Sequence, residues 1–262
     1  MVSLDGTTVR RKGIVMEEPK ATVRSVERAL DVLLCFTDAT ELGLSEIAAR
    51  IGLHKSTVHR LLAALESKGF LQRNVQTEKY RLGFRVWELS ANLTREDDPA
   101  VILLPEMEKL RDLLGETVSL YVIDGLERIR IQAVQSNQPI RRVAPVGAKM
   151  SLAVGASSKV LVAFADQMLL QELLTSPNWP DSVEKPQYQE QLKLIKQVGF
   201  ATSSEEREVG AAAVSAPIYD KQGKVFAALS VSGPSSRLTE EKMKEIAAPI
   251  MHAAFRMGKM LM

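Results

Sequence analysis

The chain is poor in the residues on which most site chemistry depends. Its 262 residues include one cysteine, Cys35, and three histidines. A single cysteine makes no internal disulfide and supplies no cysteine-rich zinc site. Cys35 lies on the apolar side of a predicted helix and reads as a small buried hydrophobe. Long apolar runs are missing too. The longest, such as residues 160–165, are far too short to cross a bilayer, and the first 20 residues lack the apolar core of a secretory signal. A cytoplasmic protein with no membrane partner is expected. Neither sign of charge dominates, with 34 Lys and Arg against 32 Asp and Glu.

Motifs of catalysis are equally scarce. There is no Gly-x-Gly-x-x-Gly, no Walker phosphate loop, no Gly-x-Ser-x-Gly elbow and no His-Glu-x-x-His. The last histidine, His252, sits among Met251, Ala253, Ala254 and Phe255 as a packing or surface residue. Ser157-Ser158-Lys159 looks superficially like a serine–lysine pair, but adjacent residues on a helix do not face each other. An enzyme with an accessory domain would need a nucleophile or an acid–base pair, and none is visible. The expectation is a non-enzyme with no cofactor and no metal site.

What is present is concentrated between Leu44 and Leu82. Leu44, Ile47, Ala48 and Ile51 fall at helical spacing. Gly52 then breaks the pattern, because glycine accepts the positive φ of a tight inter-helix turn. A second helix carries Val58, Leu61, Leu62 and Leu65 on one face and a polar opening, His54-Lys55-Ser56-Thr57, followed by His59 and Arg60. Gly69 ends it. Residues 70–73 and 79–82 alternate like two strands around a polar turn, Asn74 to Glu78. Two helices, a glycine turn and a hairpin read as a winged helix-turn-helix, with the second helix in the DNA major groove. From Lys55 to Arg85 seven Lys or Arg face two acids, Glu66 and Glu78, a local net of +5 on a chain of net +2. Such a patch is the footprint of a phosphate-binding face. The candidate DNA-contacting residues are Ser45, Lys55, Ser56, Thr57, His59, Arg60, Arg73, Lys79 and Arg81. Ser56 and Thr57 should hold phosphate or a base edge, Arg60 should reach a guanine edge, and Arg73, Lys79 and Arg81 should grip phosphates.

At 262 residues the chain has room for two domains of common size. Residues 1–22 have mixed charge and no periodicity and read as a flexible arm, with Arg10-Arg11-Lys12 solvated or brushing phosphates. The DNA-binding domain is expected over 23–83. Its first helix should start near Ser25, which can cap it, with a buried stripe of Val26, Ala29, Leu30, Leu33 and Phe36. Residues 84–99 should form a linker helix, ended by Arg95-Glu96-Asp97-Asp98-Pro99, in which Trp87 is either a dimer anchor or core.

Residues 100–262 read as an α+β domain. A helix over 103–114 is followed by a hairpin around Asp124-Gly125, a strand at 140–145 and a helix at 156–165. A surface loop at 175–187, plugged by Trp179, precedes a helix at 190–198. A second hairpin surrounds Asp220-Lys221-Gln222-Gly223, and Thr239 caps a final helix. Small polar clusters at 153–158, 201–204 and 230–233 leave room for a ligand or simply permit close packing. Ser230 and Ser232, two apart on a strand, point to the same face.

Arg24-Ser25-Val26-Glu27-Arg28-Ala29-Leu30, Leu44-Ser45-Glu46-Ile47-Ala48 and Lys55 to Leu62 resemble the DNA-binding domain of the isocitrate lyase regulator (IclR) family of bacterial transcription factors. Gly147 to Ala163, Gly199 to Glu206 and Gly210 to Pro234 resemble the signature stretches of its effector domain. The resemblance implies a GAF-like effector domain whose pocket uses the backbone amides of Ala156 and Ser157 and the hydroxyls of Ser230 and Ser232. Ser203 and Ala213 stand where many members carry an aspartate and a cysteine, Ser158 replaces a common glycine and Ala153 a common histidine. Losing that charge and thiol points away from small keto acids and towards a less polar or larger organic acid, aromatic ones included. The resemblance further implies a homodimer or homotetramer on palindromic operator DNA. The alternative is a constitutive, architectural DNA-binding protein whose second domain only oligomerises.

Overall fold

In the computed structural model the described residues are 23–91, 98–140 and 145–261. The arm over 1–22, the segment 92–97 and most of the strand expected at 140–145 lie outside them. The chain divides into two compact units, Met1–Ser90 and Ala91–Met262.

The first unit holds α1 (Arg24–Leu34), α2 (Leu44–Ile51), α3 (Lys55–Ser67), the strands β1 (Leu71–Arg73) and β2 (Tyr80–Leu82), and α4 (Phe84–Ala91). Its core joins Val32 of α1 and Phe36 just after it, Ile47 of α2, Val58 and Leu62 of α3, and Leu71 and Tyr80 of the hairpin. The α2–α3 turn depends on Gly52, which takes φ +64°. At the hairpin base a side chain on Gly83 would collide with the carbonyl of Gly69, so two backbones can touch there.

Two expectations for α1 need correction. Val23, not Ser25, precedes the helix, and no side chain caps it. The buried face is narrower than periodicity suggested: Val26 and Leu30 are each 54% exposed, and Leu34 is 62% exposed. The burial runs instead through Val32, Cys35 and Phe36, because only that side meets α2 and α3. Trp87 is 70% exposed, which removes the core reading for it.

The second unit holds α5 (Pro99–Ile102), α6 (Leu104–Leu114), β3 (Thr117–Asp124), β4 (Glu127–Val134), β5 (Lys149–Ser151), α7 (Ala156–Phe164), α8 (Gln167–Thr175), α9 (Lys185–Val198), β6 (Ala201–Ser204), β7 (Ala211–Tyr219), β8 (Val225–Pro234) and α10 (Glu240–Met260). The strands form one antiparallel sheet in the order β5-β4-β3-β8-β7-β6. Period-two alternation divides its faces. Val118, Leu120, Val214, Ile218, Leu229 and Val231 meet α6 and α10 on one side. Tyr121 and Ala228 meet α7 and α9 on the other.

Three local expectations differ here. Ile140 is a bend rather than a strand, and the edge strand is β5. The expected loop at 175–187 ends at α9, which starts at Lys185. Pro186 lies in the first turn, where its missing N–H costs nothing, so it starts the helix rather than excluding it. Pro99 likewise opens α5, capped by the Asp98 carboxylate accepting from Ala100 N at 2.8 Å. Trp179 packs edge-on to Tyr188 at 5.1 Å, and its indole N–H donates to Val183 O at 2.7 Å.

Candidate functional sites

The first site is the open end of α3. His54 caps it, its ring Nδ1 accepting from Ser56 N at 3.3 Å and lying 2.8 Å from Ser56 Oγ. The apolar face of α3 is buried by Val58 and Leu62. That anchorage turns Lys55, Ser56, His59 and Arg60 outward, with Thr57 half-buried. Ser45, in the first turn of α2, is exposed as well. On the hairpin Arg73 pairs with Glu78 at 2.9 Å and Arg81 donates to Gln72 Oε1 at 3.0 Å, while Lys79 is exposed. Exposed contacts of this kind are weak and hold neither arginine firmly.

The second site is a cavity between the sheet and α7. Its lining includes Ala156, Ser157, Ser203, Ala213, Ser230 and Ser232, every candidate effector residue, although they span 77 positions of sequence. Alternation explains the convergence. Ser230 and Ser232 of β8 point away from Leu229 and Val231, and the register sets Ser232 opposite Ala213 and Ala213 opposite Ser203. Gly155, with φ +95°, turns the chain into α7 and presents the amides of Ala156 and Ser157 at its start. That end of a helix favours anions. The free volume is about 40 Å³, room for roughly three water molecules.

Several wall residues escaped the sequence reading. Tyr121, Arg128, Arg207 and Glu208 also line the cavity. Arg128 is 3% exposed and Arg130, one strand period on, is 1% exposed. Arg130 Nε and Nη2 donate to Tyr121 Oη at 3.0 and 2.5 Å, and the two guanidinium groups each stand 5.3 Å from the Tyr121 ring centre. The signal available in the sequence was the pair of arginines on alternate positions of β4, interleaved with Ile129 and Ile131. Lys159 is buried and pairs with Glu206 Oε1 at 2.5 Å, while Glu206 Oε2 accepts from Gly155 N at 3.0 Å. Ser158 donates to Ser151 O at 2.8 Å and so serves packing. Ser232 Oγ is buried and makes no hydrogen bond among the described residues, and the same is true of Ser119 Oγ and Ser215 Oγ, which flank Ser230 on the neighbouring strands. Tyr188 donates to Leu152 O at 3.0 Å behind α7, and burial pushes its phenol well above the usual range. His252 is exposed, and among the described residues no three His, Cys, Asp or Glu side chains gather as a metal site would require. Among the described residues no helix is long and apolar enough to cross a membrane.

The chain is similar in sequence to known proteins along most of its length. The family model described as "Bacterial transcriptional regulator IclR C-terminal" matches residues 96–257, and "IclR helix-turn-helix domain" matches 25–75. The transcriptional repressor AllR of Escherichia coli is 31% identical over 245 residues, 90% of each chain. The IclR of Thermotoga maritima is 28% identical, with a TM-score of 0.71 over 91% of this chain and 98% of that one. An IclR homologue from Microbacterium hydrocarbonoxydans, crystallised with 4-hydroxybenzoate, is 25% identical, with a TM-score of 0.80 over 90% and 98%. These relatives are named as regulators, not enzymes. A helix-turn-helix unit joined to a ligand-domain fold, matched by both family models, makes this chain a member of the IclR family of bacterial transcriptional regulators.

Proposed function

We propose that this regulator binds a palindromic operator in the cytoplasm as a homodimer or homotetramer and changes its grip when an organic acid enters the α7 cavity. The observation that carries the sensing half is the convergence of six dispersed, uncharged residues on one small space beside the start of α7, with Arg128, Arg207 and Glu208 completing its wall. The DNA half rests on the outward turn of Lys55, His59 and Arg60 and on the local net of +5.

Ser203 and Ala213 add no charge to the wall, and the Tyr121 ring offers a flat apolar surface. Those features favour a larger, less polar acid over glyoxylate or pyruvate, as does the relative bound to 4-hydroxybenzoate. A cavity of about 40 Å³ is below the roughly 300 Å³ of a typical ligand pocket. Entry therefore displaces Arg207 and Glu208, which belong to the exposed 205–210 loop. The dimer is proposed to form through α1 and α4, where Leu30, Leu34, Phe84 and Trp87 leave apolar surface in water. Ligand acts by favouring one arrangement of the two DNA-binding units over another.

The test is fluorescence anisotropy of the full chain on DNA from upstream of its own gene, against random DNA, at two salt concentrations and with a panel of organic acids. Selective binding that one acid strengthens or weakens is expected. Arg60→Ala should cost operator binding about 1–3 kcal/mol and spare random DNA. Selective binding untouched by every acid would sink the sensing half. Equal binding to random DNA would favour an architectural protein.

A further inference from the structure

We propose that His54 fixes Ser56 as a hydrogen-bond acceptor, so that Ser56 reads the exocyclic amino group of an adenine or a cytosine in the operator and not a phosphate. This rests on the operator-binding reading above and decides between the two roles open to Ser56. The backbone N–H of Ser56 can only donate, and it donates to His54 Nδ1 at 3.3 Å. Nδ1 therefore carries no proton, and the ring keeps its proton on Nε2. Ser56 Oγ lies 2.8 Å from the same Nδ1. A nitrogen without a proton can only accept, so the single hydroxyl proton of Ser56 points back at the ring. Ser56 is exposed, and what its oxygen offers outward is lone pairs alone.

That arrangement suits one kind of partner. A phosphate oxygen accepts hydrogen bonds and brings no proton, so it would set lone pair against lone pair. The neighbouring amides are committed as well: Thr57 N and Val58 N donate to His54 O at 2.9 and 3.1 Å. His54 thus takes the amides of residues 56, 57 and 58, by side chain or carbonyl, and leaves none of the three for an anion. In the major groove the base-edge donors are the N6 amino group of adenine and the N4 amino group of cytosine. The first turn of a recognition helix is the part that meets base edges. Val58 and Leu62, fully buried, anchor α3 from behind and keep Ser56 on the outer side. His54 acts through Ser56 and is a positioning residue, while Ser56 makes the contact.

The test is fluorescence anisotropy of the full chain on operator DNA from upstream of its own gene, with each base of a half-site exchanged in turn. Hypoxanthine replaces adenine and uracil replaces cytosine, each putting a carbonyl oxygen where the amino group stood. At one base the exchange should weaken the parent at least about fivefold, and which of the two exchanges acts names the base. Ser56→Ala should bring the two DNAs to within about twofold at that base and keep the preferences elsewhere. His54→Ala should narrow the same gap and no other, because a released hydroxyl can turn its proton towards the new oxygen. His54→Asn, whose side-chain oxygen can take the same two donors, should restore the gap. The proposal is overturned if Ser56→Ala weakens every sequence alike, as loss of a phosphate contact would. It is equally overturned if His54→Ala lowers all affinities together and leaves that gap as wide as in the parent, as loss of a helix cap alone would. Base preferences in the parent of which none depends on Ser56 would sink the proposal and leave operator binding standing. A parent with no base preference at all would sink both.

Discussion

At Glu106 a single carboxylate ties two helices of the second unit, α6 and α10, together. It is almost buried, accepts from Lys109 Nζ at 2.7 Å on its own helix and from Arg256 Nε of α10 at 2.8 Å. The Lys109 hydrogen bond, aided by Arg256 and opposed by burial, holds its carboxyl below the usual 4.5. A carboxylate whose folded pKa lies below its unfolded one contributes stability above the unfolded value, and that contribution is lost as pH falls through the folded value. Glu106→Gln should therefore cost about 1–2 kcal/mol at pH 7, read from urea melts, and the gap to the parent should close in acid. A gap as wide at pH 3 as at pH 7 would contradict the assignment. Residues of this kind were invisible in the sequence, because Arg256 lies 150 positions away. The same holds for Arg128 and Arg207, whose meeting in the wall of one cavity is a product of tertiary packing. Ser230 and Ser232 were legible, because strand alternation alone puts them on one face.

Among the elements, those with strong local punctuation were readable and those decided by neighbours were not. The α2–Gly52–α3 turn, the hairpins at Asp124-Gly125 and Asp220–Gly223, and the Thr239 cap all follow from short-range chemistry. The outward face of α1 does not. Val26, Leu30 and Leu34 have helical spacing whether they face a core or a partner, and periodicity cannot tell which. Their exposure, together with that of Phe84 and Trp87, gives an element-scale prediction. Trp87→Ala should leave urea stability of the unit within about 0.5 kcal/mol, as for a surface change, while weakening self-association at least about tenfold in analytical ultracentrifugation. A large loss of stability with unchanged association would place Trp87 in a core instead.

Across the whole molecule, each unit carries buried clusters of its own, one in residues 23–90 and two in the second unit. Calorimetry should accordingly resolve two transitions. Operator DNA at about 100 times its Kd should raise the stability of the first unit by about 2.7 kcal/mol, and a cavity ligand should raise only the second to the same degree. One transition lifted equally by both would show the units melting as one. The two-domain plan was legible from length and from the change of pattern after the hairpin, since each half carries its own periodicities.

The short side chains of the α7 cavity bear on how such a sensor can diversify. Ala211, Ala213 and Ser230 stand on strands whose opposite faces hold the apolar core. Enlarging one of them reshapes the chamber and leaves the other side of the sheet untouched. Each is a single codon change from a bulkier or differently polar residue. The wall can thus be recut one position at a time beneath an unaltered DNA-reading unit, which suits this scaffold to laboratory selection for new chemical signals.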